Sequence, residues 1–258
     1  MTDFYVVIPA RYQSSRLPGK PLLEIAGKPM IEHVYRQAEK SQPLAVVVAT
    51  DDQRIFDAVT AFGGKVVMTA DTHQSGTDRL AEVVQIQQWQ NDDIIVNLQG
   101  DEPEMPAQLI RQVADDMATH QDAVMTTLSA PIERFEDVLD PNVVKVVSDA
   151  KGYAQYFSRA PIPWHRDAFQ GSQINDGMRQ PESLELFARH IGLYAYRAGF
   201  LQQFVSWDPA PTEVIESLEQ LRVLHNGRRI HVSMATMSPG IGVDTQEDLD
   251  RVNEVFEL

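Results

Sequence analysis

Short apolar runs alternate with one-sided helical patterns in the first half of the chain, and this alternation limits the possible folds more than any other feature. The runs are rich in valine and isoleucine, as is typical of strands buried on both faces, and they lie at residues 4–8, 44–49 and 93–97. The helical patterns lie at about 30–38, 53–62 and 107–117. Repeated strand–helix units predict an α/β fold with a doubly wound, mostly parallel sheet.

The second half is less regular but also contains strand-like runs. They lie at 143–147, 153–157, 191–196 and 230–235. Several of them alternate apolar and polar residues, which favours antiparallel partners, a mixed sheet and a smaller appended sheet segment. No internal repeat or linker divides the chain, so we expect a single domain over residues 1–258.

Three further elements follow from the pattern of the second half. The polar segment at about 165–186 holds two glycines and one proline, so we expect a long, mobile loop there. Residues 214–224 predict one helix, and a last helix is predicted near 246–257. The inward face of the helix at 214–224 would be formed by Val214, Ile215, Leu218, Leu221 and Leu224.

The composition excludes several functional classes. A formal net charge of −15 over 258 residues argues against a nucleic-acid-binding surface, although it permits a locally basic pocket for a small anion. The absence of cysteine excludes a disulfide framework, a thiolate nucleophile and a cysteine zinc site. The apolar runs are too short for membrane insertion, and the N-terminal residues do not resemble a secretion signal. We therefore expect a cytoplasmic enzyme.

A loop with three cations follows the first predicted strand. Arg11, Arg16 and Lys20 lie within residues 9–22, at the sheet edge where α/β proteins bind ligands. Gly19 allows close approach of the backbone, so the loop suits a polyphosphate; the alternative is a solvated basic turn. It is not a P-loop, because Pro21 follows the Gly-Lys pair where Ser or Thr is required, and no G-x-G-x-x-G motif supports a dinucleotide site.

Two acidic residues are candidate ligands for a divalent cation. Asp101 follows the strand-like run at 93–97, and Asp244 precedes the last predicted helix. Two carboxylates together with substrate phosphates are a common environment for Mg²⁺. The alternative for each is a turn or helix-capping aspartate.

Polar residues at other predicted strand and helix ends are further candidates. In the turn at 73–79, Ser75, Thr77 and Asp78 could cap a helix, or the turn and Arg79 could read a base edge or a phosphate. In the second half, the candidates are Arg159 for a carboxylate, His190 as a structural or catalytic residue, and Glu219 and Gln220 for sugar hydroxyls.

Several motifs together resemble one family of sugar nucleotidyltransferases. They are IPARYQSSRLPGKPL, VVVATDD, HQSGTDRLAEV, NLQGDEP, PNVVKVV, YFSRAPIPWHRD, RHIGLYAYR, ESLEQLR and PGIGVDTQEDL, and they cover the chain nearly from end to end. The chain resembles the 3-deoxy-manno-octulosonate (Kdo) cytidylyltransferases, also called CMP-Kdo synthetases. The resemblance implies transfer of CMP from CTP to the anomeric hydroxyl of Kdo for lipopolysaccharide biosynthesis. It also implies a cytoplasmic homodimer, and sugar-binding and dimerisation elements at about 130–210.

The resemblance further implies roles for individual residues. The triphosphate of CTP would be held by Arg11, Arg16 and Lys20. The cytidine would be contacted by Arg79 and by the turn at 74–77, which contains Ser75 and Gly76. The cofactor Mg²⁺ would be bound by Asp101 and Asp244, and catalysis would depend most on Arg11, Lys20 and Asp101. The sugar acid would be bound by Gln99, Arg159, His190, Tyr194, Glu219 and Gln220, with Arg166 as the alternative to Arg159 for its carboxylate.

Four other functions remain open on the sequence. An 8-amino-Kdo or sialic acid cytidylyltransferase would use the same first loop, as would a molybdopterin guanylyltransferase. The fourth is a non-catalytic nucleotide-binding module, which would bind CTP but tolerate the loss of Asp101 and Asp244.

Overall fold

The computed structural model describes residues 2–13, 17–73, 75–166, 169 and 184–256. These residues form two compact units, each built from separate stretches of chain. The first unit contains residues 1–119, 193–206 and 236–258, and the second contains residues 120–192 and 207–235. The expectation of a single domain, with a contributing segment at about 130–210, stays a prediction.

The described secondary structure alternates strands and helices in the first half, as predicted. The strands are Tyr5–Ala10 (β1), Glu24–Ile25 (β2), Lys28–Pro29 (β3), Ala45–Thr50 (β4), Val66–Met68 (β5), Ile94–Asn97 (β6), Met125–Pro131 (β7), Lys145–Ser148 (β8), Ala154–Ser158 (β9), Ala188–Arg197 (β10) and Ile230–Met234 (β11). The helices are Met30–Lys40 (α1), Gln53–Ala61 (α2), Gly76–Gln87 (α3), Ala107–Thr119 (α4), Phe135–Leu139 (α5), Ala198–Phe204 (α6), Pro211–Glu216 (α7), Gln220–His225 (α8) and Gln246–Phe256 (α9). Within the described ranges, no helix is both long and apolar enough to cross a membrane.

The first unit is built on a mostly parallel sheet. Its strands β6, β1, β4 and β5 are parallel neighbours in that order, and the second half of β10 runs antiparallel to β6. Three consecutive residues of β1, at positions 6–8, are completely buried. Since successive side chains of a strand point to opposite faces, the sheet is covered on both. The predicted doubly wound, mixed and mostly parallel sheet is confirmed.

The sheet register brings three strand ends to one edge. Ala10 at the end of β1 lies opposite Thr50 at the end of β4, and Val7 lies opposite Asn97 at the end of β6. Parallel strands share a direction, so the residues that follow these strands meet at the same edge. That edge carries the predicted nucleotide site.

A small apolar core in the first unit holds the last helix. The short ribbon of β2 and β3 is antiparallel. A buried cluster joins this ribbon to α1, to α9 and to the segment that precedes α9, and its members are Ile25, Met30, Val243, Leu249 and Val252. Burial of each such side chain contributes about 1.5–3 kcal/mol. This core fixes the segment that contains Asp244.

The second unit contains both parallel and antiparallel pairings. Strands β7 and β11 are parallel, whereas β8 pairs antiparallel with β9 and with the first two residues of β10. The antiparallel partners expected for the second half are thus confirmed. A buried cluster in this unit comprises Ile132, Phe135, Val138, Phe169, Leu184 and Phe187.

Two sequence-based expectations for the second unit were wrong. Residues 214–224 form two helices, because the chain turns at Ser217, whose φ is +52°. Val214 and Ile215 do not face inward and are 65% and 83% exposed. The strand β7 was not predicted, and most of the loop expected at about 165–186 lies outside the described residues.

Candidate active site

A lysine and two aspartates meet at the carboxyl edge of the first unit's sheet. Lys20 Nζ donates to Asp101 Oδ2 at 2.8 Å and to Asp244 Oδ1 at 3.0 Å. Lys20 is only 12% exposed, whereas the two carboxylates are 35% and 52% exposed. The structure therefore brings together three predicted site residues, with one ammonium between two carboxylates.

The position of Lys20 depends on Gly19. Gly19 has a φ of +71°, which favours glycine, and its N–H donates to the Tyr12 carbonyl at 2.9 Å. A Cβ on Gly19 would lie 3.0 Å from the Tyr12 ring. Lys20 then begins a single 3-10 turn, Lys20–Leu22, with Pro21 buried. The backbone of Lys20 is therefore fixed, and its side chain reaches the carboxylates.

The position of Asp101 depends on a close approach between two strand ends. A Cβ on Gly100 would lie 3.0 Å from the Pro9 carbonyl oxygen, so glycine allows the turn after β6 to approach the turn after β1. The Val243 N–H donates to the Asp101 carbonyl at 2.9 Å, which ties Asp101 to the segment that contains Asp244.

Asp244 is not the cap of the last helix. Thr245 fills that position: its Oγ1 accepts from the Asp248 N–H at 3.2 Å, and Asp248 Oδ2 accepts from the Thr245 N–H at 2.9 Å. The capping alternative for Asp244 was therefore wrong. Its carboxylate is directed to Lys20.

The charges of this cluster stabilise one another. Burial by itself lowers the pKa of Lys20, but the nearby carboxylates of Asp101 and Asp244 more than offset it, and the pKa is raised above its ordinary value. The ammonium therefore remains charged at neutral pH. One positive and two negative charges leave the cluster with a net charge of −1.

Arg11, another predicted triphosphate residue, directly follows β1. The Arg11 guanidinium donates to the carbonyl of His73, whose imidazole Nε2 lies 2.5 Å from Glu82 Oε2. Burial alone would raise the pKa of Glu82. The hydrogen bonds that its carboxylate makes with His73 and with the Ala70 N–H outweigh this effect, so the pKa lies below its ordinary value. Arg16 lies outside the described residues.

The predicted cytidine residues lie at the start of α3. Ser75 and Asp78 form a reciprocal capping box, which confirms the structural alternative for both. A Cβ on Gly76 would lie 3.7 Å from Pro9, so the helix begins beside the end of β1. Gln74 is not among the described residues.

Arg79 is completely buried and is paired within the protein. Its Nη2 lies 2.5 Å from Asp51 Oδ2, and its Nη1 donates to the Thr69 hydroxyl. Asp51 directly follows β4. A direct contact between Arg79 and a base requires the guanidinium to leave this pair. In the described conformation, Arg79 links helix α3 to the residue that follows β4.

Two predicted sugar-acid residues belong to the first unit. Tyr194 on β10 lies opposite Asn97 on β6, in the antiparallel pairing of these strands. Gln99 follows β6, and its Nε2 donates weakly to the Asn97 side-chain oxygen at 3.4 Å. Both side chains are partly exposed, so both remain accessible to a ligand.

His190 in the second unit is a neutral, oriented histidine. The Thr127 hydroxyl donates to the Ile191 carbonyl at 3.0 Å, and its oxygen lies 3.0 Å from His190 Nε2. Because a hydroxyl carries one proton, we assign the Nε2–H of His190 as the donor to Thr127. Burial lowers the pKa of His190 to about 3. In this conformation the imidazole is therefore neutral at neutral pH.

Arg159 is engaged by backbone carbonyls of its own unit. Its Nε donates to the Glu216 carbonyl at 2.6 Å, and its Nη1 donates to the Pro141 carbonyl at 2.8 Å. The Glu216 carboxylate in turn accepts from the Arg159 N–H and from the Ser158 hydroxyl. A two-pronged contact with a ligand carboxylate must break some of these bonds, whereas Arg166, the alternative, is exposed.

The last two predicted sugar-acid residues lie at the start of α8. Glu219 is half-buried at the N-cap position. Gln220 is buried, and its side-chain Nε2 has no hydrogen-bond partner among the described residues. A buried amide without a partner costs about 1–3 kcal/mol. Gln220 is therefore suited to donate to a ligand oxygen.

Comparison with known proteins identifies the family. The sequence profile described as cytidylyltransferase matches residues 5–230. The chain belongs to the cytidylyltransferase family. The predicted fold class and the predicted nucleotidyltransferase activity agree with this family.

Named relatives within this family match nearly the whole chain. The chain is 54% identical over 253 residues to the 3-deoxy-manno-octulosonate cytidylyltransferase of Idiomarina loihiensis, covering 98% of both. It is 56% identical over 254 residues to the same-named protein of Vibrio vulnificus, again covering 98% of both. A solved CMP:2-keto-3-deoxy-manno-octonic acid synthetase complexed with CTP is 41% identical, with a TM-score of 0.87 and 99% coverage of both chains. The resemblance inferred from the motifs is confirmed.

Sequence reasoning missed residues that hold the predicted ones in place. They are Asp51, Thr127 and Glu216, which contact Arg79, His190 and Arg159. Asp51 could have been found, because it follows a strand whose carboxyl end lies at the ligand edge. Thr127 is a polar residue in the buried strand β7, which was itself missed. No local sequence pattern indicates that Glu216 contacts Arg159.

Proposed function

We propose that this protein transfers CMP from CTP to the anomeric hydroxyl of 3-deoxy-D-manno-octulosonate, releasing pyrophosphate and supplying CMP-Kdo for lipopolysaccharide biosynthesis. The observation that carries the proposal is the Lys20–Asp101–Asp244 cluster at the sheet edge, in a chain more than half identical to enzymes of that name. Membership of the family and the charges of this cluster both support nucleotidyl transfer.

The nucleotide end of the reaction requires charge neutralisation. Arg11 and Lys20 are the described cations of the loop after β1, and the start of α3 lies beside the same strand end. Cations and helix N-terminal N–H groups both stabilise phosphate oxygens. We assign Arg11 and Lys20 to the triphosphate of CTP.

The two aspartates suit a divalent cation. Asp101 and Asp244 converge on one ammonium within 3.0 Å, so a single cation can contact both. Mg²⁺ commonly takes one or two carboxylates, with phosphate and water as its other ligands. When bound, it would offset charge on the phosphate oxygens. We propose Asp101 and Asp244 as its ligands.

The sugar acid must be held so that its hydroxyl approaches the α-phosphorus opposite the departing pyrophosphate. Such a step depends mainly on position and on charge neutralisation. We propose neutral His190 and the side-chain Nε2 of Gln220, which has no hydrogen-bond partner among the described residues, as hydrogen-bonding groups for the sugar acid. The roles of Gln99, Tyr194, Glu219 and Arg159 remain predictions from the resemblance.

We also propose that the protein acts as a cytoplasmic homodimer. Exposed Val214 and Ile215 on α7 support a partner surface in the second unit. Sedimentation equilibrium of the wild type and of Ile215→Asp tests this proposal. We expect a dimer that the substitution weakens; a monomeric wild type would contradict the proposal.

The reaction is tested by pyrophosphate release. CTP, UTP, GTP and ATP are crossed with Kdo, 8-amino-Kdo and N-acetylneuraminate in the presence of Mg²⁺. We expect release with CTP and Kdo alone. Release with another sugar acid would reassign the substrate, and CTP binding without any release would favour a non-catalytic module.

A further inference from the structure

Lys20 occupies the position that a divalent cation would take between the two carboxylates. Its Nζ contacts both Asp101 and Asp244, at 2.8 and 3.0 Å. The ammonium thus occupies one oxygen of each carboxylate, Asp101 Oδ2 and Asp244 Oδ1. A metal ion can take these same two oxygens only after the ammonium has moved.

Lys20 has a second candidate partner in the triphosphate. Its single ammonium has three N–H donors, and at least two of them are used by the carboxylates. While both contacts are kept, at most one N–H is left for a phosphate group, so a fuller contact with the triphosphate requires the ammonium to leave the carboxylates. The two assignments, to the carboxylates and to the phosphate, therefore describe two positions of one side chain.

We propose that Lys20 is a placeholder cation, which offsets part of the negative charge of Asp101 and Asp244 until the metal and nucleotide bind and then transfers to the triphosphate. This inference rests on the proposed function. The backbone on both sides is fixed by Gly19 and Pro21. The exchange therefore requires only rotation of the flexible lysine stem.

The electrostatics explain why a placeholder is useful. Two carboxylates that face one site repel each other when neither has a counter-ion. The ammonium reduces this repulsion and keeps the oxygens close together. It also competes with a divalent cation, so the metal binds weakly until the phosphate groups attract the ammonium away. Metal binding and nucleotide binding are thereby coupled through one side chain.

The test measures Mn²⁺ binding in the absence of nucleotide, by the electron paramagnetic resonance signal of the free ion. We expect Lys20→Met to bind Mn²⁺ at least about tenfold more tightly than the wild type, because a positive charge next to the ion has been removed. Lys20→Arg keeps the charge and should bind as weakly as the wild type. Lys28→Met, at an exposed lysine of the same unit, is the matched charge control and should not change the affinity.

Two further variants make the result specific. The gain in Mn²⁺ affinity of Lys20→Met should disappear when Asp101→Asn is added, because the tighter binding depends on that carboxylate. Lys20→Gln is also neutral and replaces Lys20→Met if the latter does not fold. Equal Mn²⁺ affinity in the wild type and in a folded, neutral variant would overturn the placeholder.

Failure of the placeholder is distinguishable from failure of the proposed function. The function fails if the wild type releases no pyrophosphate with any substrate pair, whatever the Mn²⁺ affinities are. The placeholder fails if a neutral variant binds Mn²⁺ no more tightly, even when the wild type is fully active.

Discussion

Two groups of paired charges, one in each unit, use similar residues in different ways. In the second unit, Arg222 Nε and Nη2 donate to both carboxylate oxygens of Glu213 at 2.8 and 2.6 Å, and the Ala210 N–H donates to the same carboxylate. This pair is buried, and its charges cancel. In the first unit, Lys20 faces two partly exposed carboxylates, and the group keeps a net charge of −1.

The difference shows how the same chemistry can serve structure or ligand binding. A buried ion pair whose charges cancel and whose hydrogen bonds are all made does not attract a ligand. Removing one of its partners lowers the stability of the protein. An unbalanced, accessible group attracts another cation and can rearrange. We therefore expect substitutions in the buried pair to change stability, and those in the exposed cluster to change activity.

The largest expected effect comes from breaking the buried pair. Arg222→Met leaves the Glu213 carboxylate buried without its partner, which should lower the free energy of unfolding by about 3–5 kcal/mol. Urea unfolding measures the loss. Adding Glu213→Leu to this variant removes the unpaired buried carboxylate and should recover most of the lost stability. Arg134→Met, in an exposed pair of the same unit, should leave the free energy of unfolding nearly unchanged; a loss as large as that of Arg222→Met would contradict the comparison.

Substitution in the exposed cluster should act on turnover instead. Asp101→Asn should lower kcat by about 10²–10³-fold, with a much smaller rise in the KM for CTP, because the carboxylate would hold the cation that offsets charge developing during transfer. Steady-state pyrophosphate release measures both constants. Asp92→Asn, an exposed acid before the amino end of β6, is the matched control and should be active. A raised KM with normal kcat for Asp101→Asn would show that the residue only binds CTP.

A third expectation concerns pH and His190. Its pKa of about 3 lies below the value of about 6.5 for an unfolded histidine. Below pH 6.5 the unfolded chain therefore binds a proton that the folded protein does not, so stability falls as the pH decreases toward 3. This residue should contribute a slope of at most about 1.4 kcal/mol per pH unit.

The pH dependence is checked by urea unfolding between pH 7 and 4. His190→Gln should flatten the curve, whereas His225→Gln, at an exposed histidine, should not. An unchanged slope in His190→Gln would mean that the imidazole is not held neutral by burial. His231, whose pKa is lowered to about 4 chiefly by burial, contributes in the same direction and remains in both variants.

The smallest expected effect lies at the helix cap of α3. Ser75→Ala removes the side chain that accepts from the Asp78 N–H and should cost about 1 kcal/mol of stability. Thermal unfolding checks the loss, and Ser75→Thr, which can still cap, should recover most of it. A rise in the KM for CTP beyond that seen for Ser75→Thr would add a direct binding role to the capping role.

The sequence predicted the sheet edge better than the contacts made there. The strand runs at 4–8, 44–49 and 93–97 are local patterns, and parallel strands bring their ends together whatever side chains follow. That rule placed Lys20 and Asp101 on one edge. It could not show that Lys20 bridges residues 81 and 224 positions away, because such contacts depend on the packing of the whole unit.

The second unit was predicted less well for a related reason. A helical spacing of apolar residues over 214–224 does not reveal that Ser217 adopts a left-handed conformation, and so the exposed Val214 and Ile215 were assigned to the core. Arg159 was predicted to bind a ligand carboxylate because of its positive charge. Its engagement by the Pro141 and Glu216 carbonyls depends on tertiary structure that no local pattern encodes.

The small core around α9 has a consequence for how heat inactivates the protein. Asp244 is held in place through Val243, which packs with Leu249 and Val252 on the β2–β3 ribbon. Terminal helices docked by few side chains open at a lower free energy than the whole domain. On heating, the carboxylate of Asp244, the proposed metal ligand, should therefore be lost from the site before the sheet melts. The protein should stop working at a temperature at which most of it is still folded, and it should recover on cooling.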